Sequence, residues 1–596
     1  MALAISHDDT QVLLHDKNVL EESVLDKYRS AGQITQTALK FVAGLINESY
    51  HEKSSHRIPI HELCLLGDSF MATCLESFYK NKVAERGIAH PTSIDVDEIA
   101  SGWSPEIDEI EQLRASNKSI SDSASGSRRS VDGLLQPGDL VTISLGVHID
   151  GYTSQVSHTM VIYPVSTDEK EQNVPQGPLL GSKADAYAAA HIAMETVVSL
   201  LACAATPGKL PSALSGSQQN VTGHLIRTVV DTIARSYHCC VVPGSKVRRV
   251  RRFLAGQNEG VVAERGFKGV SWSESHQEAT MLQRSAQDTQ ELLKVQPSKL
   301  NNESAVPTDD FTVLPGEAYV IDIQMAPLEG LAPGLITLET VDNFSGKSHR
   351  SDQLLAKPCS YVRDFAHSYV LKLKTSRQLL TKIDRQGVYP VKLSYLSDAF
   401  PLDVTQPDPS SMEQLSKDLK SYRLGISEIT NNYLAIPNPI YVAKSLPWDK
   451  ILNSANPSGR LGIDANARSL PGQELPLPRL NISSLKLKSL LKHAVSVPVA
   501  RESATVIICS GDVVSSGKPE LLRVTGGSKT CQPSWIHSKF QLDPNDPLVQ
   551  GIFQLAELAK DKRFGIATRE TQPLKRNMQV TPTSGSQPTS ADVDMA

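Results

Sequence analysis

The chain has 596 residues, of which 40% are hydrophobic and 21% are charged, and its formal net charge is −5. This length predicts one large domain with insertions, or two domains. The near-neutral balance excludes a polycation, so any contact with nucleic acid must come from local basic patches.

The first predicted elements are two helices and a strand. Residues 1–16 are expected to form a flexible tail. Leu20, Val24, Tyr28 and their successors then recur at intervals of three and four, and this single apolar stripe predicts a long helix. A second helix is predicted over 60–82, and the segment GIAHPTSIDVD predicts a strand that enters a turn.

A β-hairpin is predicted over residues 135–163. Two runs rich in β-forming residues flank His148-Ile149-Asp150-Gly151. An Asp-Gly pair between alternating apolar runs is a strong hairpin signal, because both positions of the tight turn need positive φ.

The same order of elements returns in the second half of the chain. Helices are predicted at 184–204 and 220–237, and a strand–turn–strand region at 314–324 and 335–342. Helix, helix and hairpin therefore occur twice, which favours an α+β architecture with an internal pseudo-repeat.

Insertions interrupt this pattern. Residues 104–134 begin with the carboxylates Glu106 and Asp108 and become rich in serine, so they are interpreted as a mobile insertion with phosphorylatable serines, or as a solvated loop without a role. Further insertions are predicted at about 165–183, 268–310 and 446–482. The main domain then spans 17–510, with a C-terminal extension over 511–569 and a disordered tail over 570–596.

The cysteines and apolar runs restrict the class of protein. The eight cysteines include no CxxC pair, which argues against a zinc ribbon or a thioredoxin-type site. The N-terminal sequence MALAISHDDTQVLL is unlike a signal peptide, so reduced thiols in the cytosol or nucleus are expected. No apolar run was judged long enough to predict a membrane span.

Several stretches, taken in order, resemble the methionine aminopeptidase family, and especially its non-peptidase branch, the proliferation-associated proteins. They are GDLVTISLGVHIDGYTSQVSHTMVI (138–162), DKYRSAGQITQTALK (26–40), GIAHPTSIDV (87–96), PGEAYVIDI (315–323), YVLKLKTSRQLLTKID (369–384) and GISEITNNYLAIPNPIYV (425–442). The resemblance covers most of residues 20–510 and implies the pita-bread fold, with a pseudo-two-fold repeat of helix–helix–hairpin halves.

The resemblance also identifies the positions where an active relative holds two divalent metals with two Asp, one His and two Glu. In this sequence those former metal-ligand positions are Ser144, Gln155, Gln257, Asp322 and Ser503, with Glu502 one residue from the last of them. The family's substrate-contacting His falls near Gly102.

One carboxylate at these positions leaves too little negative charge for a metal pair. Hard cations need anionic oxygen ligands, and at an effective dielectric near 20 a unit charge pair at 4 Å contributes roughly 4 kcal/mol. No metal, no cofactor and no catalytic residue are therefore expected. The alternative is a relocated metal site that uses His90, His148 and His158.

The sequence KVRRVRR places five cations in seven residues. Lys246, Arg248, Arg249, Arg251 and Arg252 are candidate contacts to the phosphates of ribosomal RNA, or else an ordinary solvated surface.

The resemblance implies a partner. Non-peptidase members dock on the large ribosomal subunit near the polypeptide tunnel exit, on rRNA and ribosomal proteins. Members of the fungal branch accompany the precursor subunit (pre-60S) from nucleus to cytoplasm and contact nuclear-pore repeats and other biogenesis factors; no membrane partner is expected. The leading hypothesis is a non-catalytic assembly and nuclear export factor. The alternatives are a metallopeptidase with a degenerate or displaced site and a free peptide-binding module.

Overall fold

The computed structural model describes most of the chain. The described residues are 12, 16–52, 57–80, 82–108, 133–167, 173–215, 219–252, 268–274, 276–277, 281, 309–331, 334–340, 358–405, 408–448, 450–451, 490, 494–514, 517–561 and 563–574. Gln257 and most of the predicted insertions at 104–134, 268–310 and 446–482 lie outside these ranges.

The first half has the predicted order of helix, helix and hairpin. Its elements are α1 (Glu22–Tyr50), α2 (Ile60–Ser77), β1 (Arg86–Val96), β2 (Ile99–Ser101), β3 (Leu140–Ile149) and β4 (Tyr152–Val161). The apolar stripe of α1 is buried, and alternate residues of β3 such as Ile143 and Leu145 pack beneath the two helices. Asp150 (φ 54°) and Gly151 (φ 80°) form the turn, so the predicted hairpin is confirmed.

The second half repeats this order with longer connections. Its elements are β5 (Val165–Thr167), β6 (Asn173–Pro175), α3 (Ser182–Cys203), α4 (Ser212–Ser215), α5 (Gly223–Ser236), β7 (Cys239–Val241), β8 (Lys246–Val250), β9 (Gly269–Ser271), β10 (Glu317–Pro327) and β11 (Gly334–Thr340). The Thr222 side chain caps α5 by accepting from the Leu225 N–H, which fixes where this helix begins.

The remaining elements complete the sheets and add a smaller lobe. They are β12 (Tyr361–Arg363), α6 (Lys374–Asp384), α7 (Pro409–Asn431), β13 (Ala435–Pro437), β14 (Tyr441–Pro447), β15 (Val495–Ser496), β16 (Ala500–Cys509), β17 (Glu520–Arg523), α8 (Pro547–Lys560) and β18 (Thr568–Glu570).

The central sheet has a two-fold pattern. Within the described residues its strands run in the order β1-β3-β4-β16-β10-β8-β9, so β1-β3-β4 of one half mirrors β8-β10-β16 of the other. The helices α1 and α2 cover the first half, and α3 and α5 cover the second. This is the predicted α+β pita-bread fold with its pseudo-two-fold repeat.

The predicted second hairpin is wrong in its pairing. The strands at 314–324 and 335–342 exist as β10 and β11, but β11 pairs with β14 in a separate sheet. The partner of β10 is β16, which pairs along almost its whole length from Glu317↔Ile508 to Met325↔Ala500. Local alternation identifies a strand but contains no information about a partner so far away in the sequence.

Several predicted insertion boundaries also need correction. Glu106 and Asp108 are buried rather than mobile, because Ser394 donates to Glu106 and Arg423 donates to Asp108. Residues 269–271 form a strand of the central sheet, and Trp448 packs in a small apolar cluster. At the C-terminus the described chain continues to residue 574, past the predicted boundary at 570.

The helix α3 is unusually apolar along its length. By length and composition α3 is apolar enough to cross a membrane, but 83% of its most apolar window is buried inside the protein. It packs against β10 and β16, so it is a core helix of the second half.

Residues 358–405 and 408–437 form what we call the accessory lobe. It contains β12, α6, α7 and β13 around its own apolar cluster, which also takes in Leu65 of α2 and Ile107. The lobe is therefore packed against the first half of the pita-bread domain.

Candidate functional site

Four of the five former metal-ligand positions are described, and all four lie on one face of the central sheet. In the antiparallel register Ser144 lies opposite Ser157, Ser157 opposite Ser503, and Ser503 opposite Asp322. Directly opposed residues point to the same face of a sheet. Gln155 is two residues from Ser157 on β4 and therefore shares that face. We call Ser144, Gln155, Ser503 and Asp322 the former metal row.

The carboxylate that remains in this row is already neutralised. Arg501 donates from Nε and Nη2 to the two oxygens of Asp322, each at 2.8 Å. Both side chains are buried, at 7% and 3% exposure. Burial alone would raise the pKa of Asp322, but the Arg501 guanidinium outweighs it and holds that pKa below its usual value. The bidentate pair fixes Asp322 as an anion whose oxygens are both occupied.

The Asp322–Arg501 pair is the arrangement that excludes a metal pair most directly. A guanidinium stands where a dication would need to approach, and Lys246 lies opposite Asp322 on β8. The neighbouring carboxylate Asp95 is bound by the Trp103 N–H at 2.8 Å and the Ser93 hydroxyl at 3.0 Å. Ser144, Gln155 and Ser503 add no charge, so the residues here do not fit a pair of divalent cations.

The ambiguity between Glu502 and Ser503 is resolved by the register. Glu502 lies opposite Ile323, on the face of the sheet covered by helices, whereas Ser503 shares the face of Asp322. On the helix face Glu502 receives a hydrogen bond from His158 Nδ1 at 3.0 Å. Burial opposes a charge on His158, but Glu502 dominates and raises the pKa of His158 well above its usual value. Glu502 is therefore half of a buried ion pair and cannot reach the former metal row.

The other two histidines are also structural. His90 is partly buried near Arg501, and desolvation together with this cation lowers the pKa of His90 to about 4. The His148 ring stacks on the Tyr389 ring with centroids 3.7 Å apart, and burial lowers the pKa of His148 to about 3. Among the described residues no group of three or more His, Cys, Asp or Glu side chains could hold a metal ion. The relocated site gains no support from this geometry.

The basic cluster is a strand of the sheet rather than a solvated surface. Lys246, Arg248 and Arg249 belong to β8, and Arg251 is buried. Arg249 pairs with Glu317 at 3.2 Å, and Arg252 pairs with Asp150 at 2.6 Å beneath the Tyr152 ring. Reversal of all four arginines to Glu would therefore disturb the fold, because Arg249→Glu and Arg252→Glu would each face a partly buried carboxylate.

Sequence reasoning missed Arg501. The period of two along a strand places residues 501 and 503 on one face, so an arginine two positions before a former ligand was a usable signal. The pairing with Asp322, 179 residues away along the chain, needed the tertiary structure.

Comparison with known proteins gives clear relatives. No protein-family model matches the chain. The chain is 61% identical to the "Probable metalloprotease ARX1" of Saccharomyces cerevisiae, over 98% of this chain and 99% of that protein. It is 58% identical to the protein of the same name in Eremothecium gossypii, over the full length of both. A solved structure of a thermophilic Arx1 aligns over 92% of this chain and 98% of that one, with 16% identity and a TM-score of 0.48.

Proposed function

The chain belongs to the family of proteins called probable metalloprotease ARX1, and from this premise we propose that it is a non-catalytic assembly and nuclear export factor of the large ribosomal subunit. It binds the pre-60S particle near the polypeptide tunnel exit, on rRNA and ribosomal proteins, and travels with it from nucleus to cytoplasm. Nuclear-pore repeats and other biogenesis factors are its further partners in this proposal.

One observation carries the non-catalytic half of the proposal. The only former metal-ligand position, among the described ones, that keeps a carboxylate is Asp322, and both of its oxygens accept from Arg501. A metallopeptidase needs open carboxylate oxygens for its metal and a general base for the attacking water. The family name therefore describes the ancestry of the fold better than the chemistry of this chain. The ribosomal half rests on the resemblance to the non-peptidase branch.

A single preparation of the full chain tests the catalytic half first. We expect metal analysis after incubation with Co²⁺ or Mn²⁺ to find no stoichiometric metal, and peptides that begin Met-Ala-Ser to keep their methionine. An active methionine aminopeptidase taken through the same steps is the control. Two metal equivalents per chain together with methionine release would establish the alternative, a metallopeptidase with a displaced site.

The same preparation tests the ribosomal half. We expect the protein to cosediment with purified pre-60S particles and not with small subunits at the same concentration. A fluorescent fusion should accumulate in the nucleus when export of the large subunit is blocked, because the proposal requires it to leave with the particle. Failure to sediment with the pre-60S particle would contradict the proposal.

A further inference from the structure

The accessory lobe exposes a row of aromatic side chains, which we call the aromatic edge: Phe365, His367, Tyr369 and Tyr433. Phe365 is 51% exposed, Tyr369 47% and Tyr433 69%. Single exposed apolar residues are ordinary, but several large ones on one edge mark an interaction surface.

The backbone and side chain of Arg363, next to the aromatic edge, are held by several contacts. Arg363 lies under the Phe365 ring, with its guanidinium carbon 4.8 Å from the centroid. Arg363 is itself held by Asp384 at 2.7 Å and by the Leu434 carbonyl at 2.8 Å. The backbone there is paired too, since Arg363 lies opposite Ala435 in the β12–β13 ladder. Phe365 therefore lies in a turn that directly follows β12, and these contacts hold the start of that turn.

The backbone at Tyr433 has a conformation that is unfavourable for a residue with a large side chain. Its φ is 58°, in the left-handed region that a bulky side chain rarely adopts, just after the end of α7. Its ring centroid lies 6.1 Å from that of His367. This left-handed residue ends α7, since the N–H groups of Tyr433 and Leu434 donate to the carbonyls of Thr430 and Ile429, and the helix end thereby fixes where the ring emerges.

Positive charge flanks these rings. Lys372, Lys374 and Arg377 follow the aromatic edge directly in sequence, and all three are exposed. The nearby carboxylates are engaged: Glu428 accepts from the Lys372 and Leu373 N–H groups, and Asp364 accepts from His367 and the Ala366 N–H. Three exposed cations therefore follow the rings within one short segment, although the whole chain carries −5.

We propose that the aromatic edge and the cations beside it bind single-stranded RNA, with bases stacked on the rings and phosphates at Lys372 and Lys374. Stacking on aromatic side chains combined with cations along the backbone is how proteins hold unpaired strands without reading their sequence. Exposed rings followed by exposed cations within one short segment favour RNA over a purely apolar protein partner. The inference deepens the proposed function and rests on it for the source of the RNA, an unpaired stretch of rRNA.

The test measures binding of the full chain to a labelled oligouridylate of about twelve nucleotides, a length within the range of known single-strand sites. We expect Phe365→Ala and Tyr433→Ala each to weaken binding about tenfold, equivalent to roughly 1.4 kcal/mol, with the salt dependence unchanged. Lys372→Gln with Lys374→Gln should instead reduce the slope of log affinity against log salt by about 1.4, since each single-strand phosphate contact contributes about 0.7.

Matched variants distinguish a specific effect of the aromatic edge on RNA binding from an effect that any loss of an exposed ring or cation would have. Tyr433→Phe should bind like the parent protein, because it keeps the ring. Trp535→Ala removes an aromatic residue that is 60% exposed elsewhere, and Lys560→Gln removes an exposed cation, so both should bind normally. Circular dichroism confirms folding of each variant.

Two outcomes overturn the inference. If the alanine variants bind the oligonucleotide as tightly as the parent protein does, the rings make no contact with the RNA. The second outcome is that the oligonucleotide does not bind the parent protein, while the same alanine variants lose cosedimentation with the pre-60S particle. That result would mean that the aromatic edge contacts a protein partner. Because the oligonucleotide assay uses the purified chain alone, its result is independent of the cosedimentation test, and either proposal can fail while the other holds.

Discussion

At the scale of single residues, Asp322 and Arg501 depend on each other. Asp322→Ala would leave a buried guanidinium without its partner, and removal of one member of a buried pair costs about 3–5 kcal/mol. We therefore expect the variant to lose about that much stability in urea unfolding. The double variant Asp322→Leu/Arg501→Met should recover most of it, because apolar replacement of both partners removes the unpaired charge. An Asp322→Ala protein as stable as its parent would show that the pair is unimportant.

This dependence changes what a growth phenotype at Asp322 would mean. If only the lack of chemistry at Asp322 mattered, Asp322→Ala would leave growth nearly unchanged. With Arg501 beside it, a defect would follow from lost stability without any catalytic role. The double variant separates the two explanations, since it lacks the carboxylate but keeps a neutral core.

The sequence predicts the position of a former metal ligand better than it predicts which side chain that residue contacts. The sequence motifs assign Ser144, Asp322 and Ser503 to the former metal site, and the strand register places these three residues on one face of the sheet. It could not show that Arg501 turns toward Asp322, or that Glu502 turns away toward His158, because both contacts join strands that are distant in the chain.

At the scale of elements, the two halves of the sheet meet between β4 and β16, where Ser157 lies opposite Ser503. His158 and Glu502, their neighbours, form a buried ion pair across this junction. The pKa of His158 is raised in the folded protein. The protonated side chain therefore contributes fully to stability below the usual histidine pKa of about 6.5, and this contribution is lost as pH rises through the pKa that His158 has in the folded protein.

We therefore expect the free energy of unfolding to fall above pH 6.5 by up to about 1.4 kcal/mol per pH unit for this one proton. His158→Gln cannot take up the proton, so the difference in stability between the parent protein and this variant should shrink as pH rises from 6 to 9. Urea unfolding across that range measures it. A difference that stays constant or grows with pH would mean that His158 is neutral in the folded protein.

The same scale shows which elements could be predicted. The stripe of α1 and the Asp150-Gly151 turn are encoded within a few neighbouring residues, and both are confirmed. The basic run at 246–252 is interpreted from sequence by its charge alone, although its first five residues form the strand β8, in which Val247 and Val250 are buried. Its acidic partners are distant in the sequence, Glu317 on β10 and Asp150 in the turn between β3 and β4, so the pairing could not be seen from the run itself.

At the scale of the whole molecule, buried charges join the accessory lobe to the pita-bread domain. Lys392 has 0% exposure and lies 3.2 Å from Asp68 of α2, and its Nζ donates to the Ser104 hydroxyl at 2.8 Å. Burial opposes its charge, but Asp68 and Glu106 outweigh burial and raise the pKa of Lys392. The lobe that carries the aromatic edge is thus attached through residues once interpreted as the start of a mobile insertion.

This attachment gives the last prediction. Lys392→Met leaves Asp68 and Glu106 buried without their cation, which should destabilise the protein by about 3–5 kcal/mol. Because the lobe has its own apolar cluster, we expect it to loosen before the central sheet does, so amides of α6 and α7 should exchange hydrogen faster while those of β3 and β10 stay protected. Lys417→Met removes an exposed cation paired only with Glu413 and should change neither pattern. If α6 and α7 keep the parent protein's exchange rates in Lys392→Met, the lobe is held by its apolar contacts with Leu65 and Ile107. The buried ion pairs would then contribute little to its attachment.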